Sequence, residues 1–101
     1  MTLESPNGQV ITGSVRLVHA AGMHARPAVK LTKLAKKFQA HISIRASDAA
    51  EWINAKSLAK VMALRAARDS IIQIQASGED AEGAVAALVD LVAADFPDNA
   101  S

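Results

Sequence analysis

Apolar residues in this chain change their spacing again and again along its length, and that alternation limits the folds open to it. From Val10 to Val18 the pattern is strand-like, with Val10, Ile11, Val15, Leu17 and Val18 set among polar residues. From Pro27 to Phe38 the spacing becomes helical. Ala28, Leu31, Leu34, Ala35 and Phe38 recur at i, i+3, i+4 and i+7, while Lys30, Lys33, Lys36 and Lys37 fall largely off that stripe. His41 to Ala46 alternates again, with Ile42, Ile44 and Ala46 on one side. A turn at 47–50 should return the chain as a short strand from Glu51 to Ala55, making a hairpin. Asn54 is a candidate cap for a second helix, from Ala55 or Lys56 to about Arg65. After a turn at Arg68-Asp69, Ser70 to Ala76 reads as a strand with Ile72, Ile74 and Ala76 facing one way. Asp80 then caps a third helix from Ala81 to about Asp95, stopped by Pro97.

The order βαββαβα, with strands apolar on one side, predicts an α+β sandwich of two layers. Its helices would cover one face of the sheet. Residues 1–9 read as a tail, 10–96 as one domain and 97–101 as a second tail. Half of the residues are hydrophobic but only 3% are aromatic, so the core must be aliphatic and alanine-rich. A net charge of +1 gives no footing for bulk nucleic-acid binding. With no cysteine, disulfides and thiolate metal sites are excluded, and the histidine spacing makes no metal signature, so neither metal nor cofactor is expected. No apolar run approaches the roughly 20 residues that span a bilayer. Met1 to Gly8 lacks the basic-then-apolar order of a secretion signal. A cytoplasmic protein, monomeric and without a membrane partner, is the expectation.

The chemistry concentrates in Gly22-Met23-His24-Ala25-Arg26-Pro27-Ala28. An imidazole stands at the mouth of a helix, where unpaired N–H groups and the positive end of the dipole attract phosphate. Pro27 suits a first helical position. Arg26 carries a planar fork that matches a phosphoryl group better than lysine would, or it is an ordinary surface charge. His24 is a phosphoryl acceptor on one reading and a helix-capping surface histidine on the other. His19 and His41 read as structural or solvent-exposed. No Walker sequence is present, so direct use of a nucleotide is not expected.

That stretch resembles the active-site motif of HPr, the histidine-containing phosphocarrier of the bacterial phosphoenolpyruvate:sugar phosphotransferase system. Asn54-Ala55-Lys56-Ser57-Leu58 is similar to the family's segment around its regulatory serine, and Ala76-Ser77-Gly78-Glu79-Asp80-Ala81 is similar to its entry into the last helix. The resemblance runs over about residues 10–96 and implies an open-faced sandwich of four antiparallel strands with three helices on one face. It implies a stoichiometric carrier and not an enzyme. His24 would take a phosphoryl group on Nδ1 from phospho-enzyme I and pass it to a IIA component. Arg26 and the backbone N–H groups of Ala25 and Arg26 would steady that group.

Ser57 would be a regulatory site for a serine kinase, or simply a helix-start residue. Met23, Leu58, Ala59 and Met62 would be apolar contacts for partners, with Leu58, Ala59 and Met62 equally readable as core. Lys33, Lys36 and Lys60 would form the polar rim. A regulatory binding module of the same fold, controlled through His24 or Ser57, is the alternative. The chain departs from the family at Arg65 and Asp69, where glycine is usual, and in a slightly longer stretch around residues 47–52. The departures bear on the choice of partner, and the Glu51–Ser57 segment looks closer to HPr-like domains fused within larger phosphotransfer proteins, or to branch members outside sugar uptake.

Overall fold

The computed structural model describes residues 10–97, so the expected tails at 1–9 and 98–101 lie outside the described residues. Seven elements follow in the expected order: β1 (Val10–Arg16), α1 (Ala25–Ala35), β2 (His41–Ala46), β3 (Ile53–Asn54), α2 (Leu58–Ala63), β4 (Ile71–Ser77) and α3 (Ala81–Ala93). The strands form one sheet in the order β1-β4-β2-β3, and every adjacent pair is antiparallel. The two-layer sandwich is therefore as expected, with the strand directions now fixed.

Period-two patterning decides which face of the sheet meets the helices. Ile42, Ile44 and Ala46 of β2 and Ile72, Ile74 and Ala76 of β4 are buried, and their neighbours in sequence turn to the open face. Above them lie Leu31 of α1, Val61 of α2 and Leu88 and Val92 of α3, all fully buried. Each such aliphatic side chain contributes about 1.5–3 kcal/mol by leaving water. Small residues let the layers close. A Cβ at Gly13 of β1 would stand 2.8 Å from a methyl of Val85, so α3 lies directly on that strand. On the open face the Arg45 guanidinium sits 4.5 Å from the centre of the Trp52 ring, and Arg45 Nε–H donates to Gln73 Oε1 at 2.8 Å.

Several boundaries differ from the sequence reading. Helix α1 begins at Ala25, which makes Pro27 its third residue and not its first. Strand β3 is only Ile53–Asn54, because Asn54 Oδ1 accepts the Lys56 N–H at 2.9 Å and turns the chain away. Asn54 therefore caps a turn. The helix cap falls to Ser57, whose Oγ accepts the Lys60 N–H at 3.3 Å. Asp80 occupies the N-cap position of α3, but its side chain makes no cap bond. Its carboxylate instead accepts the N–H groups of Gln39 and Ala40 at 2.9 and 2.8 Å, tying α3 to the segment that leads into β2. Helix α3 ends at Ala93, before Pro97 can act. The Phe96 N–H reaches the Leu91 carbonyl and the Asp95 N–H reaches Val92, a Schellman closure with Asp95 and Phe96 at positive φ. It folds the Phe96 ring into the protein, where it is 5% exposed.

Candidate functional site

The loop between β1 and α1 is built from the backbone outward. Leu17 is fully buried and bonded on both sides, its N–H to Ser70 and its carbonyl to the Asp69 N–H. The chain then reverses, with the Gly22 N–H on the His19 carbonyl at 2.9 Å. Gly22 has φ +75°, and a Cβ there would lie 2.6 Å from the Ala66 carbonyl oxygen. That same oxygen accepts the Met23 N–H at 2.9 Å. The loop is thus stitched to the segment leaving α2, and only a glycine fits at the stitch.

The stitch turns the Met23 side chain inward. Met23 is 4% exposed and belongs to the core, so the expectation that it contacts partners is corrected. The next residue, His24, faces solvent at the N-cap position of α1 and makes no side-chain cap bond. Its carbonyl does the structural work by accepting the Ala28 N–H at 2.9 Å. Pro27 and Ala28 are buried and anchor the first turn. In that turn the N–H groups of Ala25 and Arg26 lie outside the i→i−4 ladder and point out of the helix end, and Pro27 has none to offer.

Three residues outside the expected site, His19, Lys30 and Phe96, complete the surroundings. The His19 ring centre is 5.0 Å from that of His24, edge-on at 64°, and 6.1 Å from that of Phe96. A cleft of about 160 Å³ is lined by His19, Arg26, Pro27, Lys30 and Phe96. Lys30 Nζ donates to the Phe96 carbonyl at 2.8 Å, so the closure of α3 and the first turns of α1 are joined beside the histidine. The signal for His19 was its place just before a Gly-containing turn, which periodicity does not score. His41 stands exposed at the start of β2.

The remaining expected residues fall into separate groups. Leu58 and Met62 are exposed at 38% and 39%, and Ala59 is exposed too, so the core alternative fails for them while Val61 takes the core position. Lys33, Lys36 and Lys60 are exposed. Lys36 is the C-cap of α1 and so lies some 18 Å along the helix from His24. Ser57 is half-buried at the start of α2. Arg65 and Asp69, at the positions where the resemblance led one to expect glycine, both have positive φ, +49° and +73°. Among the described residues no group of His, Cys, Asp or Glu is placed to hold a metal ion.

The site is thus an exposed imidazole at a helix mouth, with Arg26 two residues further on and His19 beside it. Comparison with known proteins then gives the family. The family described as "PTS HPr component phosphorylation site" matches residues 1–94, and the chain belongs to it. A multiphosphoryl transfer protein of Vibrio cholerae is 38% identical over 86 residues, covering 84% of this chain but only 22% of that larger protein. A phosphocarrier protein HPr of Haloferax volcanii is 35% identical over 79 residues, covering 78% of this chain and 89% of the relative. The crystal structure of HPr-C-His from Thermoanaerobacter tengcongensis superposes with a TM-score of 0.78 at 31% identity, covering 85% of this chain and 94% of the other. The chain is thus a phosphocarrier of the phosphotransferase system, a stoichiometric relay and not an enzyme.

Proposed function

We propose that His24 is the residue that carries the phosphoryl group, received from phospho-enzyme I and delivered to a IIA component. The observation that carries this reading is the exposed imidazole at the N-cap of α1, which makes no side-chain cap bond. A lone pair on neutral Nδ1 attacks phosphorus, the bond from phosphorus to the donor breaks, and its electron pair leaves on the donor. Delivery to the acceptor runs the same exchange in the other direction. Such transfer needs positioning and charge stabilisation more than acid–base groups. Arg26 and the N–H groups of Ala25 and Arg26 supply them.

Leu58, Ala59 and Met62 form the apolar centre of the docking surface, and Lys60 and Lys33 form its rim, with Lys36 at the far edge. The test uses phosphoenolpyruvate, enzyme I and this protein, observed by ³¹P NMR. An acid-labile phosphohistidine signal appears in the wild type and is missing in His24→Ala. Persistence of the signal in His24→Ala refutes the assignment.

A second reading, control through Ser57, draws on its place as the N-cap of α2, where its Oγ accepts the Lys60 N–H at 3.3 Å beside the exposed Leu58. A phosphate there adds about two negative charges beside the apolar centre. Ser57→Asp is then expected to slow transfer from enzyme I, and an unchanged rate removes Ser57 from the account.

A further inference from the structure

His19 lies in none of the roles given so far, yet its side chain is held beside His24. The Ala21 N–H approaches its Nδ1 at 3.3 Å, and the Gly22 N–H takes its carbonyl at 2.9 Å. An imidazole whose Nδ1 accepts a hydrogen bond carries its proton, in the neutral form, on Nε2. One side of the ring meets Phe96, which the Schellman closure and the Lys30 bond keep in place. Another side meets the ring of His24 at 5.0 Å. With Arg26 and Lys30 it lines the cleft next to His24. His41, exposed at the start of β2, has no comparable setting.

We propose that His19 donates a hydrogen bond from Nε2–H to the phosphoryl group carried on His24. This rests on the assignment of His24 above. A phosphoryl group projects beyond the rim of the imidazole that bears it and brings three strong acceptor oxygens. Arg26 and the helix N–H groups meet it from α1, and His19 meets it from the loop after β1. The turn has oriented the His19 donor before the group arrives, so no reorganisation is needed at the moment of transfer.

Three substitutions separate this role from packing. His19→Phe keeps a ring against Phe96 and His24 and removes the donor. His19→Asn keeps an acceptor for the Ala21 N–H but is too short to reach the phosphoryl group. His19→Gln places an amide N–H near the position of Nε2. The measurement is the phosphoryl equilibrium between phospho-enzyme I and each variant, by ³¹P NMR, with the thermal midpoint of each recorded. The Phe and Asn variants are expected to shift that equilibrium at least about tenfold toward enzyme I, the effect of one hydrogen bond to a charged group. His19→Gln stays within about twofold of the wild type. Equilibria for Phe and Asn equal to the wild type overturn the inference, as does a Gln variant as impaired as Phe. A wild type that takes no phosphoryl group overturns the reading at His24 and this inference with it, so the two failures are told apart.

Discussion

His24 lies at the start of a helix whose side-chain cap it does not make, and that separation of backbone duty from side-chain duty leaves its ring available. What keeps the residue in place is next door. Gly22 turns with φ +75° against the Ala66 carbonyl, which also takes the Met23 N–H. Gly22→Ala brings a methyl to 2.6 Å from that oxygen, so the stitch must open. The expected cost is about 1–3 kcal/mol in urea denaturation, with slower phosphorylation of His24. An unchanged denaturation midpoint would contradict this account of the loop. His24 and Arg26 could be picked out of the sequence because helix-start signals are local. The burial of Met23 and the approach of His19 could not, since both depend on where α2 and α3 end.

Helix α2 shows how element ends carry the departures from the family. Leu64 is its C-cap, and Arg65 follows at φ +49° with its N–H on the Met62 carbonyl. That is the position where helices favour glycine, because a Cβ strains the left-handed conformation. Arg65→Gly is therefore expected to raise stability by about 1 kcal/mol, read from chemical denaturation. A loss of stability would mean that the arginine side chain contributes more than its backbone strain removes. All seven elements were legible in the sequence because their apolar spacing reports burial directly. Their ends were less so. Asn54 and Ser57 are both good caps by composition, and only the hydrogen bonds of the hairpin decide that Asn54 serves the turn. Phe96 kept the helical spacing of α3, yet it leaves the helix to be buried beside His19.

Across the whole molecule, Asp80 joins parts far apart in sequence. Its carboxylate accepts the Gln39 and Ala40 N–H groups, and Lys56, whose Nζ donates to the Phe38 carbonyl at 2.7 Å, adds favourable charge nearby. The Gln39 N–H above all holds the carboxyl below its ordinary value of 3.8, against a partial desolvation that works the other way. A depressed folded pKa stabilises the protein above that ordinary value, and the gain disappears as pH falls through the folded pKa. Asp80→Asn should thus lower the thermal midpoint at neutral pH, with the gap to wild type narrowing as pH drops below 3.8. A gap that stays constant into acid would contradict the ionic role. The scaffold matters because the sheet and its three helices bring one imidazole to the surface in a fixed setting. The most direct test of that purpose follows the intact mass of this protein through a full relay. With phosphoenolpyruvate and enzyme I the mass is expected to rise by ~80 Da, one phosphoryl group located to the segment containing His24. Adding a IIA acceptor should return it to the starting value. No rise, a rise located elsewhere, or a group that stays when the acceptor is added would contradict the carrier role of His24.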